Sequence, residues 1–365
     1  MMKIAIAGTN GLAQFMAYYL SQVTSHNLVF LTRTANPGLN ERGWQVLVVD
    51  YDQPESLAYI LKGVDVVIST IGSDAQLALV EAAADAHVRH FIPSAFSGPE
   101  QCTAQHSERE AWQNLMSLLQ HHEVKSCMRY TLFTCGAFYE RFGPGGLSSL
   151  QISTFNNRHS AIGEEGSLLI DIRLGKATIP VKSGIEELSI CMTSARDVAR
   201  YVVATIQAYE DMSTWPREFK FHTERLTMSE LVAIGSRVRG TPIVPVFKTP
   251  ASLIHNYASA LQANKANKAL SIAQHIAVAE AHPALTFPPT EINLPSSILS
   301  YARTAGIEPA PSEPFEAWLT RAWSTPQPTE ATTSGKQSGT SSRSGSSHKS
   351  KKPTPLEENL RRPSD

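Results

Sequence analysis

The sequence predicts a doubly wound α/β fold: a parallel sheet covered by helices on both faces, joined to a smaller C-terminal α/β part. Three observations predict it. Short apolar runs of strand length alternate with amphipathic runs of helix length through residue 134. The strand-like runs are apolar at consecutive positions, as strands buried on both faces require. The first of them leads into a glycine-bearing turn, G-T-N-G-L-A at 8–13, that opens a helix.

Residues 3–7 (KIAIA) read as the first strand and 12–22 as the helix behind it. LVFLT at 28–32 is the second strand and runs into Arg33. The third follows Trp44 (QVLVVDYD), and PESLAYILKG is a helix closed by Gly63. VDVVIST at 64–70 is the fourth strand, 74–87 an alanine-rich helix, and VRHFIPS at 88–94 the fifth strand. The segment 107–123 is a helix with Trp112, Leu115, Met116 and Leu119 along one side, after which 128–134 (MRYTLFT) returns to the sheet. From residue 136 the texture changes, and GAFYERFGPGGLSS reads as a loop. Short strands around Gly175 follow at 168–181. ARDVARYVVATIQAY is a helix, capped by Ser194 or entered through Asp197. Thr227 and Glu230 have capping-box spacing, and Gly240 supplies the stop of that helix. One or two helices occupy 251–281, and a last one 312–323. After Ser324 the composition turns to Ser, Thr, Gly, Pro and Lys, which predicts disorder over 324–365.

Composition narrows the function. Of 365 residues 42% are apolar, enough for a substantial core, and the net charge of −1 gives no general attraction to nucleic acid or anionic membrane. No stretch has the roughly 18 uncharged apolar residues of a membrane span, and no secretory signal opens the chain. The four cysteines lack C-x-x-C spacing and read as reduced thiols of a cytoplasmic protein. Neither a metal-ligating His/Cys set nor a G-x-S-x-G elbow occurs, so no metal is expected.

The turn at Gly8, Thr9, Asn10, Gly11, Leu12 and Ala13 lies between a strand and a helix, where phosphate binding is built. Gly8 permits the tight turn and Gly11 lets the backbone approach a pyrophosphate. Ala13 meets the demand for a small residue at helix–strand contact, and Asn10 has an amide to turn toward the phosphates. A reader of the ribose 2′-OH would be an acid at the end of the second strand. Arg33 stands there instead, with a donor fork that fits a 2′-phosphate, so NADPH is the expected cofactor. Thr70 and Gly72 follow the fourth strand, and Pro93 and Ser94 the fifth, at the strand ends where ligands of open sheets bind.

Together GTNGLA, Arg33, LKGVDVVISTIG, VRHFIPSAFSG, IDIRLGKATIPV and SARDVARYVV resemble the NmrA-like and isoflavone-reductase-like family, atypical relatives of the short-chain dehydrogenases, over about residues 3–323. The resemblance implies an N-terminal NAD(P)-binding Rossmann domain at 1–150, with later segments near 185–210 packing back on it, a smaller substrate domain mainly at 151–323, and a cleft between them. It implies either NADPH-dependent reduction of a small aromatic or natural-product substrate, or regulation by a protein that binds the dinucleotide without turnover. Fungal members often serve secondary metabolism, and the serine- and proline-rich tail suits a fungal protein. The family's reductases carry a lysine in the helix after P-S-x-F. Here Pro93-Ser94-Ala95-Phe96 is present, but no lysine lies between Lys62 and Lys125, and Trp112 falls near the expected position. A Tyr-x-x-x-Lys pair is absent as well. Substitutes are Tyr139, in the segment that resembles the family's passage by the nicotinamide, with His106 and His159 as weaker candidates. Cys135 reads as a small core residue. The expectation is an oxidoreductase reducing a carbonyl or enone of a small apolar or aromatic metabolite. The alternatives are a non-redox isomerase, cyclase or dehydratase on the same fold, and an NADP-sensing regulator with a protein partner. Neither the substrate nor the oligomeric state is specified by the sequence.

Overall fold

The computed structural model describes residues 1–72, 74–96, 106–152, 163–182, 187–208, 211–280, 285–294, 298 and 312–324, with the side chains of 106–111, 213, 266, 267 and 270 left outside the description. The predicted tail and His159 lie outside the described residues, as does the side chain of His106.

Six strands form the main sheet: β1 (Lys3–Ala7), β2 (Asn27–Thr32), β3 (Gln45–Val48), β4 (Val66–Ser69), β5 (His90–Ile92) and β6 (Arg129–Tyr130). Their order is β3-β2-β1-β4-β5-β6 and every pairing is parallel. The chain leaves β3 at one edge and resumes with β4 beside β1, so a crevice opens at the C-terminal ends of β1 and β4. Alternation explains the two-sided burial. Ile4, Ile6, Phe30, Val66 and Ile68 point into one core, while Ala5, Ala7, Val29, Leu31 and Val67 point into the other.

The second of these cores is covered by α3 (Pro54–Leu61), α4 (Asp74–Asp85) and α5 (His106–Lys125). On α5, Leu115 and Leu119 are fully buried, with Trp112 and Met116 packed against them. The first core is covered by α1 (Gly11–Val23) and by α6 (Ala195–Ala208), which packs against α1 although the two are far apart in sequence. Arg196 Nε donates to Tyr19 Oη at 2.6 Å, and Gln207 Nε2 to the Val23 carbonyl at 2.9 Å. A five-residue helix, α2 (Pro37–Glu41), anchored by buried Leu39, connects β2 to β3 and was not anticipated from the sequence.

The run at 128–134 is not one strand. Tyr130 pairs with β5, but β7 (Leu132–Thr134) turns to pair with β12 (Glu218–Lys220). Thr131 makes the break: its N–H donates to Phe91 O, while Leu132 N–H donates to Arg217 O. The segment expected to be a loop contains β8 (Ala137–Phe138) and two 3-10 turns, Tyr139–Phe142 and Gly146–Leu150.

The C-terminal part is a smaller α/β assembly. β9 (Ile170–Asp171) and β10 (Lys176–Pro180) are antiparallel about Gly175, and β14 (Val244–Lys248) lies parallel to β10. β11 (Ser189–Thr193) sits between β8 and β13 (Glu224–Thr227). The strands β11 to β14 carry no sequence signal that had marked them. α7 (Met228–Arg239) begins in a complete Thr227/Glu230 capping box and stops at Gly240. The stretch 251–281 resolves into two helices, α8 (Pro250–Gln262) and α9 (Ala266–Ala279). A last helix, α10 (Phe315–Ser324), buries Phe315 and Leu319 in the core of this part.

Candidate functional site

The crevice is built first by the backbone of the turn after β1. Gly8 sits at φ +102° and its N–H donates to Leu31 O at 3.0 Å, fastening the turn to β2. A Cβ at Gly8 would lie 2.4 Å from Thr70 Oγ1, so β4 approaches too closely for any side chain. Thr70 is held in turn: its N–H and Oγ1 both donate to Ala7 O, at 2.9 and 2.8 Å. Its hydroxyl is thereby committed to β1 and is buried.

Asn10 is the N-cap of α1. Its Oδ1 accepts from Ala13 N at 3.0 Å, and its Nδ2 donates to Thr70 O at 3.0 Å. Each end of the amide thus makes one contact within the protein, and the side chain fixes the shape of the turn. The cap satisfies the N–H of Ala13. Those of Gly11 and Leu12 find no partner among the described residues and stand at the positive end of the helix dipole. The side chains of Leu12 and Ala13 are buried in the core, so these two positions face the crevice with backbone alone.

At Gly11 the protein itself also requires a small residue. A Cβ there would lie 2.8 Å from Leu150 Cβ and 3.0 Å from Leu150 Cδ2. The turn Gly146–Leu150 therefore lies against the start of α1 on the side a Cβ would occupy, and walls one side of the crevice.

Arg33 is exposed at the end of β2, and its positive charge acts on the Tyr51 phenol beyond the end of β3. Burial pushes that phenol upward, Arg33 pulls the other way, and Tyr51 Oη is enclosed without a hydrogen-bond partner among the described residues. A second guanidinium was missed in the sequence. Arg42, at the end of α2, lies over the Trp44 ring at 5.7 Å, and its NH1 donates to Gln14 Oε1 at 3.2 Å. Nothing in the linear spacing marks Arg42; α2 brings it back toward the first turn of α1. On the other side of β4, Gly72 and Pro93 are buried and Ser94 is half-buried. Ser94 N donates to Gln76 Oε1 of α4 at 2.6 Å, fixing the end of β5. The structure thus gathers Gly8–Ala13, Thr70, Gly72, Pro93 and Ser94 along one edge of the sheet, with Arg33 at the end of β2.

The proposed carbonyl polariser does not join them. Tyr139 is fully buried in the C-terminal core, its ring 5.0 Å from Phe315 and 5.8 Å from Trp318. Burial first, then the carboxylates of Glu224, Asp197 and Glu140, drive its pKa far above that of a free phenol. A phenol so placed packs a core. Cys135 is likewise fully buried, its thiol 2.5 Å from Phe96 O.

Beside Tyr139 lies a buried carboxyl that sequence reasoning passed over. Both oxygens of Glu140 accept from the Ala195 N–H, at 3.1 and 3.0 Å, at the first turn of α6. Desolvation raises its pKa to about 7, against the opposing pull of its backbone hydrogen bonds. A folded-state pKa above the usual 4.5 means that the native protein holds this proton more tightly than the unfolded chain. The stability it contributes is present at low pH and declines as pH rises toward 7. Replacing Glu140 by Gln keeps an acceptor for Ala195 and removes the titration. The melting temperature of the variant, followed from pH 5 to 8, is expected to fall less steeply with pH than that of the parent; an unchanged slope would refute the assignment.

Among the described residues no group of three or more His, Cys, Asp or Glu could hold a metal ion, and no helix is long and apolar enough to cross a membrane.

Similarity to known proteins agrees with this architecture. The chain resembles a nucleoside-diphosphate-sugar epimerase from Staphylococcus aureus (TM-score 0.58, 17% identity, covering 87% of this chain and 100% of that one). It resembles a Citrobacter sp. triphenylmethane reductase complexed with NADP(H) (0.56, 15%, covering 87% and 99%). It also resembles leucoanthocyanidin reductase from Vitis vinifera in a ternary complex (0.52, 18%, covering 77% and 85%). At such identities the likeness speaks for the fold alone. No match was found among curated proteins. The model of the NmrA-like family matches residues 2–284, more than half of the chain, and the protein belongs to that family.

Proposed function

We propose that the protein is an NADP(H)-dependent oxidoreductase acting on a small apolar or aromatic organic substrate, with reduction of a carbonyl or enone as the reaction. The observation that carries this reading is the turn at Gly8–Ala13. It is locked to β2 and β4, and it leaves the N–H groups of Gly11 and Leu12 facing the switch-point crevice at a helix N-terminus. A dinucleotide pyrophosphate fits that donor set, and Arg33, with Arg42 on the neighbouring loop, suits a 2′-phosphate. Two structurally similar proteins, the Citrobacter triphenylmethane reductase complexed with NADP(H) and the grape leucoanthocyanidin reductase complexed with NADPH, support the same cofactor and reaction class.

In this reading the nicotinamide supplies the hydride when bound. The chain orients the cofactor through backbone N–H groups, and the ends of β4 and β5, at Gly72, Pro93 and Ser94, line the approach to the reacting end. The division into a dinucleotide-binding part, 1–150 with α6 packed on it, and a substrate part at 151–323 belongs to the same proposal. With Tyr139 in the core, His106 and His159 remain the sequence candidates for proton transfer.

One observation favours a second reading. The α5 position nearest the family's lysine is Trp112, packed beside Leu115 in the core, and no lysine precedes Lys125 in that helix. A non-redox step, or cofactor sensing without turnover, would need no such lysine. Incubation of the protein with NADPH and a panel of aromatic ketones, enones and quinones, with nicotinamide absorbance and products followed together, separates the three. Oxidation of NADPH with a reduced product supports the oxidoreductase. Product without NADPH loss identifies a non-redox enzyme, and tight binding without product identifies a sensor. In the same preparation Arg33→Ala is expected to weaken NADPH by about tenfold or more, and NADH far less. Equal loss of both would refute the assignment of Arg33 to the 2′-phosphate.

A further inference from the structure

We infer that Gln14 is a specificity-determining positioning residue. It holds the Arg42 guanidinium to the glycine turn, so that the site prefers nucleotides bearing a 2′-phosphate; the inference rests on the dinucleotide site proposed above.

Gln14 stands one residue beyond the capped Ala13, in the first turn of α1. Its side chain does not run outward along the helix. Nε2 reaches back over the helix start and donates to Thr9 O at 2.8 Å, while Oε1 accepts from Arg42 NH1 at 3.2 Å. The two contacts fix which way the amide points. Rotated by a half turn, its NH2 would meet a guanidinium that offers only donors, and its oxygen would meet a carbonyl that only accepts. The amide therefore works as a directional clip between two loops, the Gly8–Asn10 turn and the end of α2.

The clip has a consequence for charge. Ala7 of β1 and Leu31 of β2 are paired in register, so Thr9 and Arg33 each lie two residues beyond one level of the sheet. By tying Arg42 to Thr9, Gln14 brings a second fixed cation to the level where Arg33 already stands. The Trp44 face beneath Arg42, 5.7 Å from its carbon Cζ, supports the guanidinium from the other side and leaves its long stem little freedom. A long side chain ordered before the ligand arrives loses less entropy on binding, and a planar donor fork is sensitive to orientation. A neutral glutamine orients the fork without opposing a phosphate. An acid in its place would compete for the guanidinium and repel the ligand.

The test is a set of binding titrations on the full chain with NADPH, NADH and 2′,5′-ADP as probes. In the parent, NADPH is expected to bind at least tenfold more tightly than NADH. Gln14→Ala should weaken NADPH and 2′,5′-ADP by about fivefold and leave NADH within about twofold. Gln14→Glu should lower NADPH affinity further and bring the two dinucleotides close to parity. Because Gln14 acts through Arg42, the double variant Gln14→Ala/Arg42→Ala should bind NADPH no more weakly than Arg42→Ala alone. Unchanged selectivity in Gln14→Ala, or equal weakening of NADPH and NADH, would overturn the inference while leaving the cofactor assignment intact. Failure of the parent to bind either dinucleotide would instead sink the proposed function, and this inference with it. Melting curves of each variant keep a folding defect from passing as a loss of selectivity.

Discussion

A Gly8→Val variant is expected to lose dinucleotide binding and to be destabilised by about 3 kcal/mol. Two costs add. The backbone at φ +102° is one that L residues rarely adopt, at about 1–2 kcal/mol. The new Cβ would stand 2.4 Å from Thr70 Oγ1 and 3.0 Å from Ile71 Cγ2, and overpacking of this kind costs about 1–3 kcal/mol. Thr70 cannot yield cheaply, because its N–H and hydroxyl both serve Ala7 O and its carbonyl receives Asn10 Nδ2. Relief therefore has to come from the turn, which carries the N–H groups assigned to the pyrophosphate. Urea denaturation measures the first effect. Fluorescence titration with NADPH at low temperature, where the variant stays folded, measures the second. Wild-type affinity in a folded Gly8→Val protein would show that the turn is not the phosphate site.

Asp197→Ala should cost about 3–5 kcal/mol, the range for breaking a buried ion pair by removing one partner. The side chains of Asp197 and Arg200 are 3% and 4% exposed and hydrogen-bonded to each other within the first turns of α6. Truncating the acid strands a guanidinium that water cannot reach. Asp197→Asn, which keeps an acceptor, should cost less, and Asp197→Ala/Arg200→Met should regain much of the loss by replacing the pair with apolar volume. The measurement is the shift in denaturation midpoint at constant m-value. A loss below about 1 kcal/mol for Asp197→Ala would show that solvent reaches the pair.

What could be read in advance was local. Apolar runs such as VDVVIST become buried strands because both faces of a parallel sheet are covered. The Thr227/Glu230 box, the Ser194 cap and the stop at Gly240 depend on residues within one helical turn. The glycine turn was legible for the same reason. Distant partners decided the rest. Tyr139 looks like a cleft residue in its own segment and becomes a core residue only when α10 delivers Phe315 and Trp318. The strand at 128–134 breaks because Leu132 finds Arg217, 85 positions later. Glu140 becomes a buried acid because α6 begins above it. Gln14 and Arg42 carry no motif, and their meeting depends on the path of α2.

The packing of α6 on α1 also bears on how the chain acquires its structure. Phe15, Met16 and Tyr19 on α1 share a core with Val198, Val202 and Ile206 on α6. A nascent chain that has emerged only as far as Leu150 lacks the α6 side of that core. The N-terminal sheet can align its strands and receive α1, but the α1 side of its core stays incompletely covered until residues near 208 leave the ribosome. Closing so long a loop is slow, and the apolar face is exposed to aggregation while it waits. The N-terminal half is thus early in sequence and late in completion, and the helix that finishes it arrives with the C-terminal part.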